Sequence, residues 1–164
     1  MRTFIEISNF MEIGYSQNAN TRYVDTAQQQ NNEVAQNRGG EKLNIDKMMQ
    51  YMDTHAQNKP QHMCARACSN GLDQLGLTGR THTGHARDMG AILMELGAVP
   101  LVTPHQYYTP KKGDFVVFDA NFPHLDGHVA AFDGRHWVSD FHQNSMSPYK
   151  TNSPNYTIYR FPGQ

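Results

Sequence analysis

Only two cysteines occur in the 164 residues, four positions apart at Cys64 and Cys68. Two thiols do not make a disulfide scaffold. On one helix their Cα atoms would lie about 6 Å apart, yet their side-chain directions seldom allow closure. One reactive and one buried thiol is the simpler assignment. Long apolar runs are missing too, and nothing approaches the roughly 18 residues of a membrane-spanning helix. Basic blocks and basic amphipathic helices are absent, and 14 Lys and Arg against 15 Asp and Glu leave a formal charge of -1. That balance argues against a nucleic-acid or anionic-membrane binder. Residues 1–7 (MRTFIEI) hold too short an apolar core for a secretory signal, and no small-residue cleavage site follows. The expectation is synthesis in the cytosol, with any action elsewhere requiring export by another machine. No internal repeat is visible.

What is present divides the chain in two. Residues 16–38 are dominated by Gln and Asn, centred on Gln28-Gln29-Gln30-Asn31-Asn32. Such composition buries too little apolar surface to offset the entropy of ordering. Residues 1–40 are therefore expected to form a largely flexible arm, with Gly39-Gly40 as the boundary to a domain over 41–164. Within that domain Ile45, Met48, Met49 and Met52 recur at i, i+3, i+4, i+7, the spacing of an amphipathic helix. Lys59-Pro60 interrupts the chain. Cys64, Cys68, Gly71, Leu72 and Leu75 then share one helical face closed by Gly76. Ala86, Met89, Leu93 and Leu96 mark a third helix, capped by Gly97. From Val99 the period changes. Phe115–Phe118, 128–132, 136–141 and 156–161 read as strands, with a hairpin around Asp133-Gly134. Helices first and strands second predict an α+β fold, an antiparallel sheet with the helices packed on it.

Three residues carry the candidate chemistry. Cys64 falls at a helix start, where unsatisfied N–H groups and the helix dipole favour a thiolate and can stabilise an oxyanion. A small buried hydrophobe is the competing reading, and it fits Cys68 better. His128, after Gly127 and before Val129-Ala130-Ala131, suits a general base. Asp140 is the natural third member, accepting a hydrogen bond from the imidazole and fixing its tautomer. His128 and Asp140 share a face of the hairpin if its loop is Phe132-Asp133-Gly134, and lie on opposite faces if it is Asp133-Gly134 alone. Asp114 has the look of turn chemistry, not of a catalytic acid. The nine histidines offer pairs such as His82 with His85. With no His-Glu-x-x-His helix and no paired Cys-x-x-Cys, neither metal nor cofactor is assigned.

Cys64-Ala65-Arg66 on a helix, Pro110-x-x-Gly113-Asp114 leading into a strand, Gly127-His128-Val129-Ala130 and Trp137-Val138-Ser139-Asp140 follow one another in an order that resembles the CHAP amidohydrolase/peptidases. These belong to the wider papain-like group that includes the NlpC-type peptidoglycan hydrolases. The resemblance covers residues 60–161 and looks closest to small amidase effectors of type VI secretion. It implies a papain-like α+β fold with Cys64 as nucleophile, His128 as base and Asp140 as orienting acid. The implied substrate is the peptidoglycan stem peptide. The implied partners are an immunity protein and a component of the secretion apparatus that delivers the protein into a target cell. Two departures stand out: Ala67-Cys68 where many members carry an aromatic residue or Val, and His142 where a polar amide is common. The rival expectations are a papain-like effector that modifies a host protein, and one that only binds a partner without hydrolysis.

Overall fold

The computed structural model describes residues 43–102 and 107–163; the Gln/Asn-rich arm expected over 1–40 lies outside them. Among the described residues three helices, α1 (Ile45–His55), α2 (Cys64–Leu72) and α3 (Met89–Glu95), precede the sheet. Six strands follow: β1 (Val99–Pro100), β2 (Phe115–Phe118), β3 (His128–Phe132), β4 (Trp137–Val138), β5 (His142–Gln143) and β6 (Tyr156–Arg160). They form one sheet in the order β1-β6-β2-β3-β4-β5 with every neighbouring pair antiparallel. This is the expected α+β arrangement of helices on an antiparallel sheet.

Local chemistry accounts for the helices. Asn44 caps α1 by accepting from the Lys47 amide (3.4 Å), Asp46 sits in the positive first turn, and Met48, Met49 and Met52 are buried. After α2 the chain tightens into a 3₁₀ turn, Asp73–Leu75, and leaves it through Gly76 at φ +81°. A second 3₁₀ turn, Ala86–Asp88, leads into α3. That helix ends in a Schellman arrangement: Ala98 N–H donates to Leu93 O (2.8 Å) and Gly97 N–H to Met94 O (2.9 Å), with Gly97 at φ +92°.

Strand alternation divides the core. Phe115, Val117, Val129, Ala131 and Val138 face the helices and pack with Met48, Cys68, Leu72 and Leu93. Val116, Phe118, Ala130, Trp137 and Ile158 form a second cluster on the other face. His128 pairs with Phe118 and Gln143 with Trp137, so both belong to that second face, His128 at the very end of its strand. Beneath the β2–β6 pair lies a buried ion pair. Arg160 grips Asp114 with two bonds of 2.7 Å, and Tyr108 Oη (2.8 Å) and the Lys111 amide (2.9 Å) complete the carboxylate's partners.

The hairpin follows neither anticipated loop. Phe132 pairs with Trp137, leaving a four-residue loop, Asp133 to His136. Asp133 Oδ1 accepts from the Arg135 and His136 amides (2.5 and 2.6 Å), so its side chain builds the turn. The single strand expected over 136–141 is in fact two-residue β4, a turn at Ser139-Asp140, and β5 returning along β4. Asp140 is therefore a turn residue outside the ladder, and the register argument for placing it does not apply.

Candidate active site

Cys64 is the first residue of α2, half-buried, and the helix enters with no side-chain cap of its own. Asp140 supplies the missing anion from across the fold. Its Oδ2 accepts from the Gln61 (2.6 Å) and Met63 (3.1 Å) amides, and its Oδ1 accepts from the Ser139 hydroxyl (3.1 Å). The same turn is stitched to the segment leading toward α2: Gln57 N–H donates to Asp140 O (2.8 Å) and His142 N–H to Gln57 O (3.1 Å). Asp140 thus fixes where the Cys64 helix begins.

The two sulfurs embrace one residue of β3. Cys68, fully buried, directs its thiol at Val129 O (3.7 Å), while the Val129 backbone also hydrogen-bonds the Cys64 sulfur, beside the amides of Ala65 and of Cys64 itself. Because His128 is the residue before Val129, this contact brings the sulfur to the first peptide of β3. Cys64, His128, Asp140, Gln143 and Tyr149 line one cleft of about 870 Å³. A direct hydrogen bond between sulfur and imidazole is not among the bonds of this structure.

The imidazole's bond goes instead to Gln143: His128 Nε2 lies 2.6 Å from Gln143 Oε1. The amide can face only one way, since Gln143 Nε2 donates to the carbonyls of Ser145 and Met146 (both 3.1 Å). Its oxygen is an acceptor only, so His128 carries its proton on Nε2 and its lone pair on Nδ1. Phe118, Phe141 and Tyr149 surround the ring. Of the sequence candidates, then, Cys64 and His128 share a cleft, and Asp140 shares it while bonding other groups. Gln143 was missed. Its strand is two residues long and carries no periodicity, and a Gln in a polar stretch gives no signal of its own.

Electrostatics departs from expectation at the thiol. A helix start was expected to favour the thiolate, but burial pushes the Cys64 pKa above its ordinary value, the backbone hydrogen bond from Val129 opposing and the nearby Asp140 carboxylate reinforcing the rise. Burial likewise holds the His128 pKa below the ordinary imidazole value against the Gln143 bond and Asp140. Both shifts run toward the uncharged forms, thiol and neutral imidazole. Among the described residues no three His, Cys, Asp or Glu side chains gather as a metal site, and no helix is long and apolar enough to cross a membrane.

No protein-family model and no curated protein matches the chain. Solved structures do. The chain resembles a chain of the type VI native effector–immunity complex Tae3–Tai3 from Ralstonia pickettii at 26% identity and a TM-score of 0.61, over 71% of this chain and 98% of that one. The selenomethionine form of the same complex matches at 27% identity and a TM-score of 0.60, over 70% of this chain and 99% of the other. The similarity thus spans essentially the whole of the other chain.

Proposed function

We propose that this protein is a type VI secretion effector, a cysteine amidohydrolase of the papain-like CHAP/NlpC kind that cuts peptidoglycan stem peptides. The observation that carries the reading is the shared cleft: a cysteine heading a helix, its sulfur against the Val129 backbone, and a histidine held by a fixed amide. The likeness to an effector–immunity complex supports the delivery route and an immunity protein as partner. A nucleophile and a base opening into one cleft are equipment for an effector, not for its inhibitor. Under this reading the arm over 1–40 is a loading segment for the secretion apparatus.

The chemistry follows from the resting protonation. His128 Nδ1 takes the thiol proton as the sulfur attacks the scissile carbonyl, the tetrahedral intermediate collapses to a thioester, and the imidazolium passes its proton to the leaving amine. Water then enters, is deprotonated by Nδ1, and releases the acid. Gln143 holds the ring in the tautomer that leaves Nδ1 basic. Asp140 positions the helix start and biases the imidazolium by its charge. Purified sacculi test the reading. Wild-type protein is expected to release soluble muropeptides and Cys64→Ala to release none. Digestion by the Cys64→Ala protein, or no release by wild type, overturns it. In the latter case, mass shifts on a host protein mark the rival activity.

A further inference from the structure

Tyr149 is half-buried in the wall of the same cleft, and its ring is held from several directions. Phe118 meets it edge-on at 5.5 Å and 70°, His128 at 6.5 Å and 84°, and His124 tilts against it at 5.3 Å. Its backbone is fixed as well. The Tyr149 amide donates to Ser147 Oγ (3.3 Å), which is bonded to Ser153 Oγ (3.0 Å). The hydroxyl, by contrast, makes no hydrogen bond among the described residues. A phenol with a locked ring and an unspent donor beside a nucleophile has a vacancy for a ligand oxygen.

We infer that Tyr149 is a further catalytic residue, whose hydroxyl donates a hydrogen bond to the oxyanion formed when Cys64 attacks the substrate carbonyl. The inference rests on the hydrolase reading above. As the sulfur–carbon bond forms, the carbonyl π pair moves onto oxygen and the thiol proton passes to His128 Nδ1. The new oxyanion accepts from the Tyr149 O–H and the Cys64 N–H. On collapse the C=O bond re-forms, the C–N bond breaks and the amine leaves with the proton from Nδ1. Tyr149 keeps its own proton throughout. Burial, reinforced by the nearby Cys64, raises the phenol's pKa and so favours its donor form.

The test compares wild type with Tyr149→Phe, which keeps the ring and its packing. Removing one oxyanion donor is expected to lower kcat on sacculi by about 10²–10³-fold with KM within about twofold. Alkylation of Cys64 by iodoacetamide develops no oxyanion, so its rate is expected to stay within about twofold of wild type. Affinity for N-acetylalaninal, a small peptide aldehyde that forms a hemithioacetal oxyanion, is expected to fall in step with kcat. Unchanged kcat and aldehyde affinity overturn the inference. So does equal loss of alkylation and turnover, which would place Tyr149 on the thiol or on the fold. The aldehyde arm needs no peptidoglycan, so it answers for Tyr149 even if wild type fails to cut sacculi and the broader reading falls.

Discussion

Gln143 and Asp140 divide between them the work that one acidic residue was expected to do. A neutral amide orients the imidazole without adding charge beside it, and the carboxylate is spent on the peptide that enters the Cys64 helix. Both substitutions should therefore cost activity and stability together. Gln143→Ala frees the ring to turn, and a misplacement of about 1 Å is expected to lower kcat on the order of 10²-fold, with a drop in melting temperature because the Ser145 and Met146 carbonyls lose their donor. Asp140→Asn weakens a charge-assisted bond to two amides, so a drop in melting temperature should accompany its loss of activity too. Turnover beside thermal melts checks both. A pH dependence also belongs to this scale. With the Cys64 pKa raised, the thiolate fraction grows only as pH climbs past the ordinary thiol range, about 8.5. Iodoacetamide alkylation should thus rise steadily through pH 8–10; a plateau reached near pH 6 would instead reveal a pre-formed ion pair.

Among the elements, those that repeat a pattern were readable and those that do not were not. α1 declared itself through four apolar residues at helical spacing, and α3 through its periodic face and terminal Gly97. β2 and β3 were legible as apolar runs bounded by turns. β1 and β5 have two residues each, too few to show any period, and they exist because neighbouring strands offer open edges. The hairpin loop was misjudged because Asp133 builds its turn through side-chain bonds that outweigh the Asp-Gly signal. Cys64 and His128 were singled out because their residue types at those positions have a chemical rationale; Gln143 lacked one until β5 folded back on β4. Asp114, read from sequence as turn chemistry, also pairs with Arg160 and so ties the turn before β2 to β6. Removing one partner from a buried pair leaves an uncompensated charge, so Asp114→Ala is expected to cost about 3–5 kcal/mol, measurable by urea denaturation. At the other end of the sheet Gly127, at φ +70°, packs so tightly that a Cβ would run into Phe118 O. Gly127→Ala should displace His128 and lower activity as well as stability.

Across the whole molecule, the buried groups of the proposed site set the pH range of stability. His128 has a folded pKa below its unfolded value of about 6.5, so around and below that pH the unfolded chain binds more protons and stability falls as pH drops. Cys68, wholly buried, has a folded pKa well above its unfolded value of about 8.5, chiefly through burial. Above that pH the unfolded thiol releases a proton that the native one keeps, and stability falls again, by up to about 1.4 kcal/mol per pH unit for each such group. Cys64 adds in the same direction. Maximum stability is therefore expected between about pH 6.5 and 8.5. Urea midpoints measured from pH 5 to 10 should trace that dome. Cys68→Ala should flatten its alkaline side while leaving the acid side to His128. An alkaline limb that is equally steep in Cys68→Ala would assign the fall to Cys64 or to groups outside the layer between α2 and β3.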